Sequence, residues 1–97
     1  MAIRIVYDRE HCEGYFLCVA QDGEDFGTGD DNKADLLGGT EESAGLWTKD
    51  LPDDAIARAR DGAQVCPPRV IKVIDPATGQ VLEGPEKLPV EEQAPTL

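Results

Sequence analysis

Alternation of apolar and polar residues marks the start of the chain. Between Ala2 and Asp8 every second residue is large and apolar: Ile3, Ile5 and Tyr7. A period of two is typical of a strand with one buried face. The sequence therefore predicts a first strand over Ala2 to Asp8.

A period of three to four residues indicates a helix later in the chain. Apolar side chains recur there at i, i+3, i+7 and i+10: Ile56, Ala59, Ala63 and Cys66. The preceding Pro52-Asp53-Asp54 favours a helix start, because proline fits the first turn and carboxylates suit the positive end of the helix dipole. The sequence predicts a helix that carries Cys66 on its core-facing side.

Shorter patterns supply the remaining elements. Phe16 to Ala20 indicates a short helix, Lys33 to Leu37 a short strand, and the β-branched run Arg69 to Ile74 a further strand. A turn rich in proline and glycine then leads into Gln80 to Glu83, which predicts a closing hairpin. The order of these elements is that of an α+β sandwich.

The cysteines point to the chemistry of the chain. Cys12 and Cys18 lie close together, and the third, Cys66, is followed by two prolines. Three cysteines cannot all pair, and a helical stretch between Cys12 and Cys18 would separate them by ~9 Å, beyond disulfide reach. A thiolate site for a metal is the favoured interpretation. The alternative, three buried reduced cysteines acting as small apolar residues, leaves the Cys-Pro context unexplained.

The spacing C-x5-C followed by C-P resembles a known iron-sulfur pattern. It is the bacterial run of cluster-binding cysteines with the second one replaced by Tyr15. From Ala2 to Glu83 the chain is similar to the small single-cluster ferredoxins, most closely those with a 3Fe-4S cluster. The resemblance implies a ferredoxin-like βαββαβ sandwich over residues 1–84, with an acidic insertion at about 30–52, a closing hairpin and a flexible C-terminal tail over 85–97.

The resemblance also implies a ligand set and a cofactor. The metal ligands would be Cys12, Cys18 and Cys66, holding a 3Fe-4S cluster. A 4Fe-4S cluster is the runner-up, with Tyr15 or His11 as its fourth, non-cysteine ligand. The residues between the first two cysteines would surround the cofactor, and Gly14 would let the backbone approach it: Glu13, Gly14, Tyr15, Phe16 and Leu17.

Charge and hydropathy narrow the choice of partners. The net charge of −11 and the pI of about 4.2 argue against nucleic acid or an anionic membrane surface, since both are polyanions. The same acidity suits a basic partner surface, and it is also typical of proteins living in high salt. No apolar run is long enough to span a membrane, and no signal peptide is indicated, so we expect a cytoplasmic protein.

The function implied by the resemblance is one-electron transfer. A ferredoxin of this type would accept electrons from a ferredoxin reductase and pass them, as a monomer, to a cytochrome mono-oxygenase or another redox enzyme. No Ser-His-Asp set is present and His11 is the only histidine, so we expect a carrier rather than an enzyme. A remote alternative is a zinc-stabilised interaction module using the three cysteines and His11, although zinc prefers shorter cysteine spacings.

Overall fold

The computed structural model describes residues 2–66 and 69–92 of the 97-residue chain. Within these ranges the chain forms an α+β arrangement of antiparallel strands and short helices. The elements follow in this order: β1 (Ala2–Asp8), α1 (Leu17–Gln21), β2 (Phe26–Thr28), β3 (Ala34–Leu36), β4 (Thr40–Ser43), β5 (Leu46–Pro52), a 3-10 turn (Asp53–Ala55), α2 (Ile56–Gln64), β6 (Ile71–Ile74), β7 (Val81–Glu83) and α3 (Pro89–Glu92).

The first strand is the centre of the main sheet. The strands lie side by side in the order β4-β5-β1-β6-β7, and β1 is antiparallel to both of its neighbours. Ile5, for example, lies opposite Lys49 on one side and Val73 on the other. The predicted strand over Ala2 to Asp8 is confirmed, and its inward side chains Ile3, Ile5 and Tyr7 are buried.

The α+β class is confirmed, but the strand order differs from the predicted βαββαβ. Between α1 and α2 the described chain makes four strands rather than two. The residues predicted as an insertion, about 30–52, contribute β3, β4 and β5, and β5 pairs with β1 along its full length. The strand predicted over Lys33 to Leu37 corresponds to β3 (Ala34–Leu36). The pattern misses β4, which is exposed at all four positions, so no alternation of apolar and polar residues marks it.

Helix α2 covers the sheet and directs the chain to the third cysteine. Ala59 and Ala63, on the face of α2 that the helical period predicts to be buried, are fully buried. The helix ends at Gln64, and Cys66 follows two residues later. Gly62 lies where α2 contacts the end of α1. A Cβ at this position would come within 3.2 Å of the Asp22 Cβ, so a larger residue would be crowded there. The stop predicted at Pro67 and Pro68 lies outside the described residues.

The C-terminal segment packs against the sheet as far as the structure describes it. Leu88 is fully buried, and Lys72 on β6 donates through Nζ to Glu91 Oε1 at 2.7 Å. The Val90 N–H donates to Asp8 Oδ2 at 2.7 Å, which ties α3 to the end of β1. The start of the region predicted as a flexible tail is therefore held by a buried side chain and by hydrogen bonds, while residues 93–97 lie outside the described chain.

No helix within the described residues has the length and apolar character needed to cross a membrane.

Candidate metal centre

The three cysteines of the chain line one pocket. Cys12 lies in the loop between β1 and α1, Cys18 lies in α1, and Cys66 follows α2. All three are free cysteines, Cys12 is half-buried, and Cys18 and Cys66 are buried. The cavity in this pocket is small, about 20 Å³. Three larger grooves among the described residues, of about 370, 390 and 210 Å³, are lined by neither cysteine nor histidine.

The loop that carries Cys12 has an unusual backbone. Gly14 and Phe16 both adopt the left-handed conformation, with φ of +78° and +58°. A Cβ at position 14 would collide with the main-chain oxygen of Asn32, so this position requires glycine for two independent reasons. Asn32 lies in the turn between β2 and β3, so this hairpin packs closely against the loop that contains Gly14.

Replacing Gly14 by alanine should therefore disrupt the loop. We expect Gly14→Ala to lower the free energy of unfolding by roughly 2 to 3 kcal/mol, since a positive φ and a backbone clash both oppose the new side chain. Thermal unfolding followed by circular dichroism measures the change. Gly79→Ala is the matched control, because Gly79 also has a positive φ but a Cβ there would meet nothing within 4 Å. Equal losses in the two variants would contradict the role given to Asn32.

The loop that lines the pocket also carries main-chain N–H groups that are available for hydrogen bonding. The main-chain N–H groups of residues 13–17 donate no hydrogen bond to any described residue. Left-handed residues that alternate with ordinary ones bring successive N–H groups into a concave array, which suits an anion or a sulfide. Unpaired donors along a pocket lined by sulfurs fit a cofactor that carries acceptor atoms, such as an iron-sulfur cluster.

Burial biases the Cys18 and Cys66 thiols toward the neutral form while no metal is bound, because it raises the pKa of each. Burial, reinforced by the nearby Cys66 and Cys12, raises the pKa of the Cys18 thiol to about 12. Burial also raises the pKa of Cys66, although the main-chain N–H groups of Val70 and Arg69 lower it in part. Metals bind cysteine as thiolate, so a metal entering this pocket must displace protons. The donor set, three converging sulfurs beside free N–H groups, therefore fits an iron-sulfur cluster.

The other residues that the sequence assigns to the site also line this pocket. Glu13, Tyr15 and Leu17 are exposed, with 58% of Tyr15 and 43% of Leu17 accessible to solvent. Phe16 is half-buried and packs against the core. The structure thus brings together every residue of the predicted set, and two of its apolar side chains stand at the mouth of the pocket.

Two residues near the site were not assigned a role from the sequence. Asp8 is fully buried and accepts hydrogen bonds from the His11 main-chain N–H at 3.1 Å and from Val90. Its Oδ2 lies 2.8 Å from His11 Nδ1, so Asp8 anchors the residue that precedes Cys12. Tyr7 is also fully buried, and its hydroxyl donates to the Ala34 main-chain oxygen at 2.8 Å. The sequence signal for these two residues is their position: Tyr7 and Asp8 are the last residues of β1, directly before the loop that carries Cys12.

Comparison with known proteins agrees with this geometry. The chain matches the family described as "4Fe-4S single cluster domain" over residues 5–73, which is more than half of its length. The chain therefore belongs to that family of single-cluster iron-sulfur domains, and this membership indicates an electron carrier. No curated protein matches the chain.

Proposed function

We propose that the protein is a one-electron carrier whose cluster is held by Cys12, Cys18 and Cys66. The observation that carries the proposal is that Cys66, which is far from Cys12 and Cys18 in sequence, lines the same small pocket as they do. Iron-sulfur clusters are bound by cysteine thiolates and pass one electron at a time. The chain would contribute the thiolates, the N–H donors of residues 13–17 and the burial that together set the reduction potential.

We further propose that the cluster is of the 3Fe-4S type. Tyr15 stands where the family pattern places another cysteine, and a phenol with a usual pKa near 10 is a poor ligand at neutral pH. Its side chain is exposed at the pocket mouth, where it can cover the vacant corner of such a cluster. Three thiolates match a cluster in which each iron takes one cysteine.

A 4Fe-4S cluster with a non-cysteine fourth ligand is the second candidate. The description of the matching family favours it, since that description names a 4Fe-4S cluster. Tyr15 and Glu13 lie on the same pocket and carry oxygen atoms that could serve as the fourth ligand. His11 suits this role less well through Nδ1, because Asp8 Oδ2 lies 2.8 Å from that nitrogen.

The zinc module finds less support. A tetrahedral zinc site with Zn–S bonds of ~2.3 Å brings its sulfurs to within about 4 Å of one another. Within residues 2–66 and 69–92, no group of three or more His, Cys, Asp or Glu side chains is arranged to hold a single metal ion. Zinc also prefers shorter spacings between its cysteine ligands than the C-x5-C of Cys12 and Cys18.

Electrons would leave at the edge formed by Glu13, Gly14 and Tyr15. Tyr15 is exposed there, whereas α1 and its buried Cys18 shield another side of the pocket. With a net charge of −11, the protein suits partners that present a basic surface. We propose a ferredoxin reductase as the donor and a cytochrome mono-oxygenase, or another redox enzyme, as the acceptor.

An electron paramagnetic resonance spectrum of the anaerobically purified protein tests the cluster type. An oxidised 3Fe-4S cluster is paramagnetic, whereas an oxidised low-potential 4Fe-4S cluster is silent. A colourless protein that contains zinc and lacks acid-labile sulfide would end the electron-carrier proposal altogether.

Tyr15→Cys should convert the proposed 3Fe-4S centre to a 4Fe-4S centre, because it restores the missing thiolate of the family pattern. We expect the iron content per chain to rise by about one atom and the oxidised protein to lose its paramagnetic signal. Tyr15→Ser is the matched control, since it removes the same ring without supplying a thiolate. An iron content that is equal in Tyr15→Cys and the parent protein would contradict the three-iron assignment.

A further inference from the structure

Three buried residues lie on the face of the main sheet that points away from α2: Val6, Asp8 and Lys72. Ile5 and Tyr7 belong to the core cluster that includes residues of α2. Val6 and Asp8 alternate with them along β1 and therefore point the opposite way. Lys72 on β6 pairs with Val6 and shares this face. Charged side chains are rarely buried unless other groups cover and pair them, so another part of the chain must cover this face.

The C-terminal segment covers it. Residues 86–91, which we call the C-terminal strap, run back from β7 past β6 to β1. Leu88 in the strap is fully buried. Lys72 Nζ donates to the Glu86 main-chain oxygen at 2.8 Å and to Glu91 Oε1 at 2.7 Å. The Leu88 N–H donates to the same Oε1 at 2.9 Å. The strap is thus fixed by an apolar anchor and by a partly buried ion pair.

The strap is attached to the carboxylate of Asp8, which also holds the loop that carries Cys12. The Val90 N–H donates to Asp8 Oδ2 at 2.7 Å, although the two residues are 82 positions apart. Asp8 Oδ1 accepts from the His11 N–H at 3.1 Å, and Oδ2 lies 2.8 Å from His11 Nδ1. Asp8 is fully buried, so water cannot replace a lost donor unless the structure opens. One carboxylate therefore joins the strap to the residue before Cys12.

The loop beyond this contact has few hydrogen bonds of its own. Among the described residues, the Cys12 N–H donates to Arg9 O at 3.3 Å, which is long for such a bond, and the N–H groups of residues 13–17 donate none. Backbone with few hydrogen bonds opens at a low cost in free energy. The Asp8 contacts therefore restrain this loop directly before its first sulfur.

We propose that Asp8 is a positioning residue for Cys12, and that the C-terminal strap slows release of the cluster by holding this carboxylate in place. The inference rests on the proposed function, in which Cys12 is a cluster ligand. A thiolate leaves its iron only when its loop moves, so a firmly held loop keeps the sulfur attached for more of the time. Without the strap, the Asp8 carboxylate loses the Val90 donor and is free to turn, and the loop opens more readily.

Iron release from Leu88→Ala tests the proposal. This variant removes the apolar anchor of the strap and leaves Asp8, His11 and the three cysteines unchanged. Leu51→Ala is the matched control, because it makes the same truncation in a buried leucine that does not line the cysteine pocket. With a chelator present under anaerobic conditions, we expect Leu88→Ala to lose iron roughly tenfold faster than Leu51→Ala.

Hydrogen–deuterium exchange gives a second readout that does not depend on a cluster. Mass spectrometry of the full-length protein reports exchange in the peptide that covers residues 9–17, which contains the His11 and Cys12 amides. We expect this peptide to exchange faster in Leu88→Ala than in the parent protein, and at the parent rate in Leu51→Ala. A general loss of stability would instead accelerate exchange in both variants alike.

A double-mutant cycle tests whether the strap acts through Asp8. Asp8→Asn should itself accelerate iron release, because an amide has one acceptor oxygen where the carboxylate has two. Adding Leu88→Ala to Asp8→Asn should accelerate release further by less than about twofold, since both changes break the same connection. Leu51→Ala should have the same effect on release with and without Asp8→Asn.

The outcomes separate this inference from the function on which it rests. Faster iron release and faster exchange in Leu88→Ala alone, with non-additive effects in the cycle, support the inference. Equal rates in the two leucine variants, unchanged exchange over residues 9–17, or additive effects of Asp8→Asn and Leu88→Ala would overturn it while leaving the electron carrier intact. A parent protein that takes up no iron and sulfide would instead overturn the proposed function.

A milder pair covers the case in which a variant fails to fold. Leu88→Val and Leu51→Val then replace the alanine variants in both measurements, with the same expected order of rates. If Asp8→Asn does not fold, the leucine pair alone decides, because its members leave the carboxylate in place.

Discussion

Cys66→Ala is expected to abolish cluster binding without unfolding the protein. Cys66 is buried at the end of α2 and supplies one of three sulfurs, so its loss leaves a cluster with two protein ligands. Alanine is small and apolar, and it replaces a neutral buried thiol at the cost of a small cavity. We expect iron and acid-labile sulfide to fall to background after anaerobic reconstitution, while the circular dichroism spectrum of the cluster-free protein is retained.

A neighbouring core substitution separates ligand loss from loss of stability. Val70 is fully buried in the same core and contributes no sulfur. Val70→Ala should lower the free energy of unfolding by about 2 kcal/mol, because it opens a cavity, yet retain the iron content of the parent protein. Iron retained by Cys66→Ala, or lost equally in both variants, would show that Cys66 is not a ligand.

The parts of the fold that follow from local pattern were predictable from the sequence. β1 could be predicted because its large apolar residues Ile3, Ile5 and Tyr7 recur at every second position and are buried, although Val6 and Asp8 on the opposite face are buried as well. α2 could be predicted because Ala59 and Ala63 recur on the face that meets the sheet. In both elements the period of apolar residues and the geometry of burial agree, so a local pattern is sufficient.

The candidate site was predictable for a different reason. The spacing of Cys12 and Cys18, with Cys66 before a proline, belongs to a known arrangement of thiolates. Such a pattern indicates that the cysteines meet in space without specifying the path of the intervening chain. The described structure brings them to one pocket although the strands between them differ from the expected order.

The remaining features depend on contacts that no local pattern encodes. β4 is a short, fully exposed edge strand that exists because its backbone pairs with β5. The strand character of Phe26 to Thr28 depends on its pairing with Ala34 to Leu36. Asp8 similarly acquires its role only when α3 returns to the end of β1. Each of these contacts joins residues that are distant in sequence or lack an apolar period.

A buried pair of carboxylates beside α1 illustrates the same dependence on distant contacts. Asp25 is buried and accepts from Lys49 Nζ at 2.9 Å and from Arg58 Nε at 3.0 Å. Asp22, at the end of α1, is also buried, and neither of its oxygens accepts a hydrogen bond from a described residue. Arg58 Nε lies 3.6 Å from Asp22 Oδ1. Lys49 and Arg58 therefore pair mainly with Asp25, and a negative charge on Asp22 would be poorly compensated.

This asymmetry separates the pKa values of the two groups. Burial, reinforced by the neighbouring Asp25, raises the pKa of Asp22 to about 7. The pKa of Asp25 is lowered, because the effect of burial is outweighed by its neighbours, including the hydrogen bonds from Lys49 and Arg58. One proton on Asp22 thus allows Asp25 to keep its charge and its two cationic partners, a division that is common for adjacent buried carboxylates.

The pH dependence of stability follows with a definite sign for each group. The folded pKa of Asp22 lies above its unfolded value of 3.8, so the folded state binds more protons between pH 4 and 7. The stability contributed by Asp22 is therefore present below pH 4 and is lost as the pH rises toward 7. Asp25 has a lowered pKa, so its contribution is present above pH 4 and is lost on further acidification.

Asparagine substitutions at these two positions should consequently have opposite effects at pH 8. Asp25→Asn leaves Lys49 and Arg58 without their buried carboxylate, and we expect it to lower the free energy of unfolding by about 2 to 3 kcal/mol. Asp22→Asn removes a poorly paired buried charge, and we expect it to raise that free energy by on the order of 1 to 2 kcal/mol. Thermal unfolding under anaerobic conditions, followed by circular dichroism, measures both changes.

Repeating the measurement at pH 5 distinguishes titration of Asp22 from a simple packing effect. At pH 5 the parent protein carries a protonated Asp22, so the advantage of Asp22→Asn over the parent should shrink as the pH falls from 8 to 5. Glu24→Gln is the matched control, since Glu24 pairs with the same Arg58 at 3.0 Å but has an exposed side chain. Because exposed ion pairs contribute little, it should change stability by less than about 1 kcal/mol. Destabilisation by Asp22→Asn at pH 8, or an effect equal at both pH values, would contradict the assignment of the shared proton to Asp22.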